Sequence, residues 1–143
     1  MPLLTQEQIK EIIPHRDPFL LIDEIEEMEI GVRAIGKKML TVDDYWFQGH
    51  FPQEPVLPGV LTMEMLAQTA AVCLMSLPEY KGKIGYFAGI DKAKFRNKAV
   101  PGDVLMLEIE VLKVRGPICI VSGKATANGK TVASAELKFA IGA

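Results

Sequence analysis

Leu105, Leu107, Ile109 and Val111 occupy every second position along one stretch, with Met106, Glu108 and Glu110 between them. Ala133, Ala135, Leu137 and Phe139 repeat that period against Ser134, Glu136 and Lys138. A period of two puts all the apolar side chains of a strand on one face, so strands are predicted over 104–114 and 131–140. Strand-like stretches also cover 84–95 and 118–127, and Asn128-Gly129 separates the last two with the dipeptide that favours a two-residue hairpin. Upstream, 19–40 reads as two strands joined near Gly31, with acidic residues interleaved among Ile, Met and Leu. Thr5 with Gln8 forms a capping box that opens a short helix, and Pro14 stops it.

Two segments break this alternation. Residues 41–58 form a loop holding Trp46, Phe47, His50, Phe51, Pro52, Pro55 and Pro58. A loop so apolar has to be packed or covered by a partner, which makes it a functional candidate. Residues 59–77 follow, bounded by Pro58 and Pro78, rich in Ala, Leu and Met, with Glu64 the one charge. The segment is apolar nearly all round, which excludes a surface helix with one wet face. It approaches transmembrane length. Glu64, Gln68, Thr62 and Thr69 inside it, and the lack of a second span, favour a helix buried in protein. The predicted fold class is α+β, one antiparallel sheet of about six strands wrapped around a long central apolar helix.

Composition narrows the function. The 143 residues predict a single domain, 1–143, able to bury roughly 68–70% of its unfolded surface without metal or disulfide. Sixteen Lys+Arg against eighteen Asp+Glu give a net charge of −2, which argues against a dominant role on nucleic acid or a membrane surface. The start has no basic segment followed by a long apolar core, so no secretory signal is read. Cys73 and Cys119 sit in apolar runs away from any Cys-x-x-Cys or His spacing, which predicts free thiols, a reducing cytoplasm and no metal site. The hydrophobic share, 49%, is slightly high for so small a soluble chain.

Of the two histidines, His15 lies between Pro14 and Arg16 at a helix end and reads as a structural or surface residue. His50 lies in Gly49-His50-Phe51-Pro52, on the apolar loop leading into the buried helix. Desolvation favours neutral imidazole, a base able to take a proton near pH 7, although a packed histidine bonded to backbone fits the same residues. Glu64, in an apolar helix, should have its carboxyl pushed toward the protonated, donating form; the plainer alternative is a buried hydrogen-bond network. Gln68 stands one turn later on the same face and can fix its orientation. Pro58-Gly59 leaves the Gly59 N–H free at the positive end of the helix, where it can steady an oxyanion. A base, an acid and an oxyanion donor suit proton removal beside a carbonyl. Lys92, Lys94, Arg96 and Lys98 alternate, so a regular strand would put them on one face, either for an acidic partner or as the lysines of a protected edge.

The run from Gly49 through His50, Phe51, Val56, Pro58 and Gly59 to Glu64 and Gln68 resembles the signature of 3-hydroxyacyl-[acyl-carrier-protein] dehydratases of bacterial fatty acid synthesis. Supporting stretches are Pro14-His15-Arg16-Asp17-Pro18-Phe19-Leu20-Leu21-Ile22-Asp23, Tyr86-Phe87-Ala88-Gly89-Ile90-Asp91, Lys94-Phe95-Arg96 and Pro101-Gly102-Asp103, and the likeness spans about 5–140. Glutamate at position 64 points to the FabZ-type branch. The resemblance implies a hot-dog fold, no metal or organic cofactor, and a homodimer, often assembled into a trimer of dimers. Each active site is then built at the dimer interface from the histidine of one chain and the glutamate of the other. It further implies that His50 and Glu64 are the catalytic pair and that the Gly59 amide binds the thioester carbonyl. The Val56 carbonyl would hold the imidazole tautomer, with Tyr86 and Phe51 along the acyl tunnel. The Lys92, Lys94, Arg96, Lys98 stripe would meet the acidic acyl carrier protein. Met65-Leu66 departs from a smaller pair and bears on tunnel width. Other readings of the same residues are a dehydratase with trans-2,cis-3 isomerase activity, a hot-dog acyl thioesterase, and a non-catalytic acyl-binding module.

Overall fold

In the computed structural model, which describes residues 2–142, Thr5 caps α1 (Gln6–Lys10) as its sequence predicts. Its hydroxyl accepts from the Gln8 N–H at 3.4 Å, and its own N–H donates to Gln8 Oε1 at 2.9 Å. The chain then turns again at Arg16–Leu20 and joins the sheet only at Asp23, whose N–H donates to the Lys37 carbonyl at 2.9 Å, just before β1 (Glu24–Glu29), so the first strand starts later than the apolar run from Phe19 suggests. β1 turns at Gly31 into β2 (Arg33–Met39). A single 3₁₀ turn, Tyr45–Gln48, sits inside the aromatic loop and buries Trp46 and Phe47. The long helix α2 covers Gly59–Met75, two residues shorter than expected. Four strands follow: β3 (Ile84–Phe95), β4 (Val104–Arg115), β5 (Ile118–Ala127) and β6 (Lys130–Gly142).

These form one antiparallel sheet in the order β1-β2-β4-β5-β6-β3. The sheet curls around α2 in the hot-dog arrangement that the resemblance implies. The alternation predicted from sequence is the one that points inward: Leu105, Leu107 and Ile109 on β4 and Ala133, Ala135, Leu137 and Phe139 on β6 are all buried. Met65, Leu66, Ala70, Val72 and Leu74 of α2 fill the concave side, each essentially inaccessible. Burial of each large apolar side chain contributes roughly 1.5–3 kcal/mol, so the helix is held by the sheet rather than by its own propensity. Where β2 crosses α2 the backbones come close. A Cβ at Gly36 would stand 2.5 Å from Thr69 Oγ1.

The β5–β6 turn is the one that the Asn-Gly pair predicts: Asn128 and Gly129 have φ of 54° and 77°, the left-handed pair of a type I′ hairpin. β3 has a different character. It is an edge strand, hydrogen-bonded on one side only, and Tyr86, Phe87, Ile90 and Phe95 along it are exposed.

Candidate active site

The loop that enters α2 is pinned at several points. The Val56 N–H donates to the His50 carbonyl at 2.9 Å, Phe51 and Glu54 exchange backbone hydrogen bonds at 3.1 Å, and the Leu57 N–H donates to Ala99 at 2.8 Å. On that frame the His50 ring is half-buried, with Nδ1 2.8 Å from the Val56 carbonyl and the Phe51 ring stacked against it, centroids 4.1 Å apart. A carbonyl oxygen can only accept, so Nδ1 carries the ring proton and Nε2 presents its lone pair. That is the geometry of a general base. Val56 thus meets the imidazole through its carbonyl, whereas Phe51, expected along an acyl tunnel, stacks on the His50 ring, is 52% exposed and lines neither the cavity beside His50 nor the one beside Glu64.

α2 begins immediately after this loop. Pro58 brings no side-chain cap, and its carbonyl takes the amides of Leu61 and Thr62. The N–H groups of Gly59 and Val60 therefore lie at the helix start with no carbonyl of the helix behind them. His50, Val56 and Gly59 line one cavity of about 540 Å³, with Phe95, Arg96 and Lys98 at its wall. A Cβ at Gly59 would meet the Phe95 ring at 2.6 Å, so glycine keeps this wall open. His50 and the N-terminal end of α2 share a cavity.

Glu64 does not share it. Its side chain, about 20% exposed rather than fully buried, lines a second cavity of about 390 Å³ together with His15, Phe19, Tyr86, Phe87 and Phe139. Gln68 Nε2 donates to Glu64 Oε2 at 3.0 Å and to the Phe19 carbonyl at 2.8 Å, while its Oε1 accepts from the Leu21 N–H at 2.9 Å. Gln68 thus holds the carboxylate as the one-turn spacing predicts, and ties α2 to the segment before β1. Tyr86, expected along the acyl tunnel, is 56% exposed and lines this second cavity. Within one chain, then, the two groups of the expected catalytic pair open into different cavities.

His15 was expected to be structural or at the surface; the structure puts it beside Glu64, Nε2 to Oε2 3.7 Å. Nothing within its own segment signals this, because its neighbour lies far along the chain; only its place in the Pro14–Asp23 stretch of the family resemblance could have pointed to it. The basic stripe also needs correction. β3 ends at Phe95, its pairing with β6 breaks between Asp91 and Lys94, and Lys92 takes a left-handed φ of 55°. The four cations therefore do not share one strand face. Lys92 pairs with Glu136 at 3.2 Å and Lys98 with Glu54 at 3.1 Å, all exposed or nearly so, while Lys94 and Arg96 have no carboxylate within ion-pair distance among the described residues. Among those residues, too, no three His, Cys, Asp or Glu side chains gather as metal ligands would, and no helix is long and apolar enough to cross a membrane.

A family model described as a FabA-like domain matches residues 13–136, which includes every candidate site residue and all of the second cavity's lining except Phe139. The chain belongs to the FabA-like family. Among its FabA-like relatives, the 3-hydroxyacyl-[acyl-carrier-protein] dehydratase FabZ of Clostridium novyi (strain NT) is 58% identical over 135 residues, 94% of this chain and 95% of the relative. FabZ of Enterococcus faecalis (strain ATCC 700802 / V583) is 58% identical over 139 residues, 97% and 99%. Two solved structures resemble the fold of this chain at 16% identity, which speaks to architecture alone. One is the dehydratase heterocomplex ApeI:P from Xenorhabdus doucetiae, with a TM-score of 0.79 over 98% of this chain and 90% of that one. The other is a hypothetical thioesterase with coenzyme A from Streptococcus pneumoniae TIGR4, with a TM-score of 0.65 over 82% and 84%.

Proposed function

We infer that this chain is a 3-hydroxyacyl-[acyl-carrier-protein] dehydratase of fatty acid biosynthesis, and that its working unit is a homodimer in which His50 of one copy faces Glu64 of the other. The observation that carries the chemistry is the His50 ring, protonated at Nδ1 by its bond to Val56 and free at Nε2, in one cavity with the Gly59 N–H. Nε2 takes the α-proton of a 3-hydroxyacyl thioester while the Gly59 N–H receives the charge growing on the thioester oxygen. The Cβ–O bond breaks, a Cα=Cβ double bond forms, and the hydroxyl leaves as water with the proton that Glu64 delivers. His50 then returns its proton through solvent and the pair is reset. Positioned acid and base groups are enough for removal of a proton activated by a thioester.

The same geometry supports the dimer. His50 and Glu64 need each other and open apart within a chain, while β3 offers a free strand edge flanked by exposed Tyr86, Phe87 and Ile90 near the Glu64 cavity. A second copy related by a two-fold axis covers that edge and presents its His50 to this Glu64. Arg96 and Lys98 at the wall of the His50 cavity suit the acidic acyl carrier protein that delivers the substrate; an exposed pair such as Lys98–Glu54 is weak enough to yield to it. Free, buried Cys73 and Cys119 suit a reducing cytoplasm.

Hydration of a crotonyl thioester, followed by loss of enoyl absorbance, tests the assignment. His50→Ala and Glu64→Gln should each lower turnover by about 10²–10⁴-fold, the range of a positioned acid or base. A folded variant of either kind turning over at the wild-type rate rejects the assignment, and release of free thiol in place of the absorbance change would reveal a thioesterase.

A further inference from the structure

Glu64 has a neighbour that the reaction above leaves idle. His15 lines the same cavity, Nε2 3.7 Å from Glu64 Oε2, on a turn clamped by Arg16, whose guanidinium donates to the carbonyls of Lys10, Ile13 and His15 at 2.7–3.0 Å. Both contacts to the Glu64 carboxylate, from His15 and from Gln68 Nε2, fall on Oε2, and Oε1 has no hydrogen-bond partner among the described residues. The other nitrogen of His15, Nδ1, is shut away from solvent with no hydrogen-bond partner among the described residues. A hydrogen on Nδ1 would be an orphaned buried donor, and an imidazolium would add a buried charge to it, so the favoured form is neutral with its hydrogen on Nε2.

We propose that His15 is a positioning residue for Glu64: its Nε2–H, acting with Gln68, holds Oε2 and so turns Oε1 toward the hydroxyl that leaves. The proposal rests on the dehydratase reading, because only there does the direction of one carboxylate oxygen matter. At 3.7 Å the contact is longer than a hydrogen bond, the looseness general for unliganded sites whose bonds tighten on the substrate. Burial pushes the His15 imidazole below its ordinary value, more strongly than the facing Glu64 carboxylate raises it, and the Arg16 guanidinium pushes the same way as burial. The neutral donor is therefore the form present in the working range of pH.

Met and Gln fill similar volumes, but only Gln can offer an N–H near the place of Nε2, so the test compares His15→Met with His15→Gln in crotonyl-thioester hydration. His15→Met should lower kcat by about ten-fold with KM within about two-fold, and His15→Gln should stay within about three-fold of wild type on both. Equal kcat in the two variants, at whatever level, overturns the proposal. Placed on Glu64→Gln, His15→Met should cost nothing further; the same ten-fold loss in that background would show that His15 acts elsewhere and also overturns it. Failure of the dehydratase reading looks different, since Glu64→Gln alone would then keep wild-type turnover.

Discussion

A histidine facing a carboxylate is ordinarily held in its charged form, and His15 shows where burial outweighs that attraction. Removal from water lowers its proton affinity below the usual 6.5, Glu64 partly restores it, and Arg16 lowers it again. The unfolded chain therefore binds this proton more readily than the native one. Between the folded-state value and 6.5 stability rises with pH; the contribution is complete above 6.5 and is lost as pH falls through the folded-state value. In denaturant titrations between about pH 5 and pH 8, wild type should lose more stability on acidification than His15→Gln, and identical slopes would refute this. Individual residues were legible in proportion to how local their partners are. Glu64 could be read beside Gln68 because one helical turn connects them, whereas Val56 beside His50 rests on the family resemblance, although the two lie only six loop positions apart. His15 meets Glu64 only through the closure of the fold, so its flanking Pro14 and Arg16 say nothing of the contact.

β2 and α2 come close where Gly36 crosses Thr69. A methyl at Gly36 would lie 2.5 Å from Thr69 Oγ1 and 3.0 Å from its Cγ2. Thr69 is fully buried and donates to the Met65 carbonyl at 3.0 Å, so it has no free space to retreat into. Gly36→Ala should destabilise the protein by about 1–3 kcal/mol, an overpacking cost, seen as a melting midpoint lower by roughly 3–10 °C. Adding Thr69→Ala should recover part of the loss, and a Gly36→Ala protein melting with wild type would contradict the close approach. β4, β6 and the Asn128-Gly129 hairpin were legible because period and turn chemistry are local. The break in β3 was not. Lys92 sits left-handed without being Gly or Asn, and the irregular pairing with β6 that puts it there is a property of two distant strands. The same holds for the delayed start of β1: Leu20, Leu21 and Ile22 are buried on a segment that Gln6 of α1 and Gln68 of α2 hold by hydrogen bonds, while Phe19 beside them stays 45% exposed.

Whether the two cavities belong to one machine is a property of the assembled molecule. The apolar share that looked high for 143 residues is spent in two places: the buried surface of α2, and the exposed Tyr86, Phe87, Ile90 and Phe95 of β3, which a monomer would leave in water. A homodimer that joins His50 of one copy to Glu64 of the other makes a prediction that no single-chain site shares. His50→Ala and Glu64→Gln homodimers each have both sites damaged. A mixed dimer has one site with both substitutions and one with neither, so unfolding and refolding an equal mixture should restore about a quarter of wild-type turnover, given random pairing of two-fold dimers. Were both groups supplied to each site by the same chain, every site in the mixture would stay damaged and no activity would return. The recovered activity should also carry the wild-type KM, because each restored site is made entirely of unaltered residues. Recovery at that level, with size-exclusion chromatography showing dimers or larger multiples throughout, ties the separation of the two cavities within a chain to catalysis between chains; absence of recovery in properly refolded mixtures sinks the shared site.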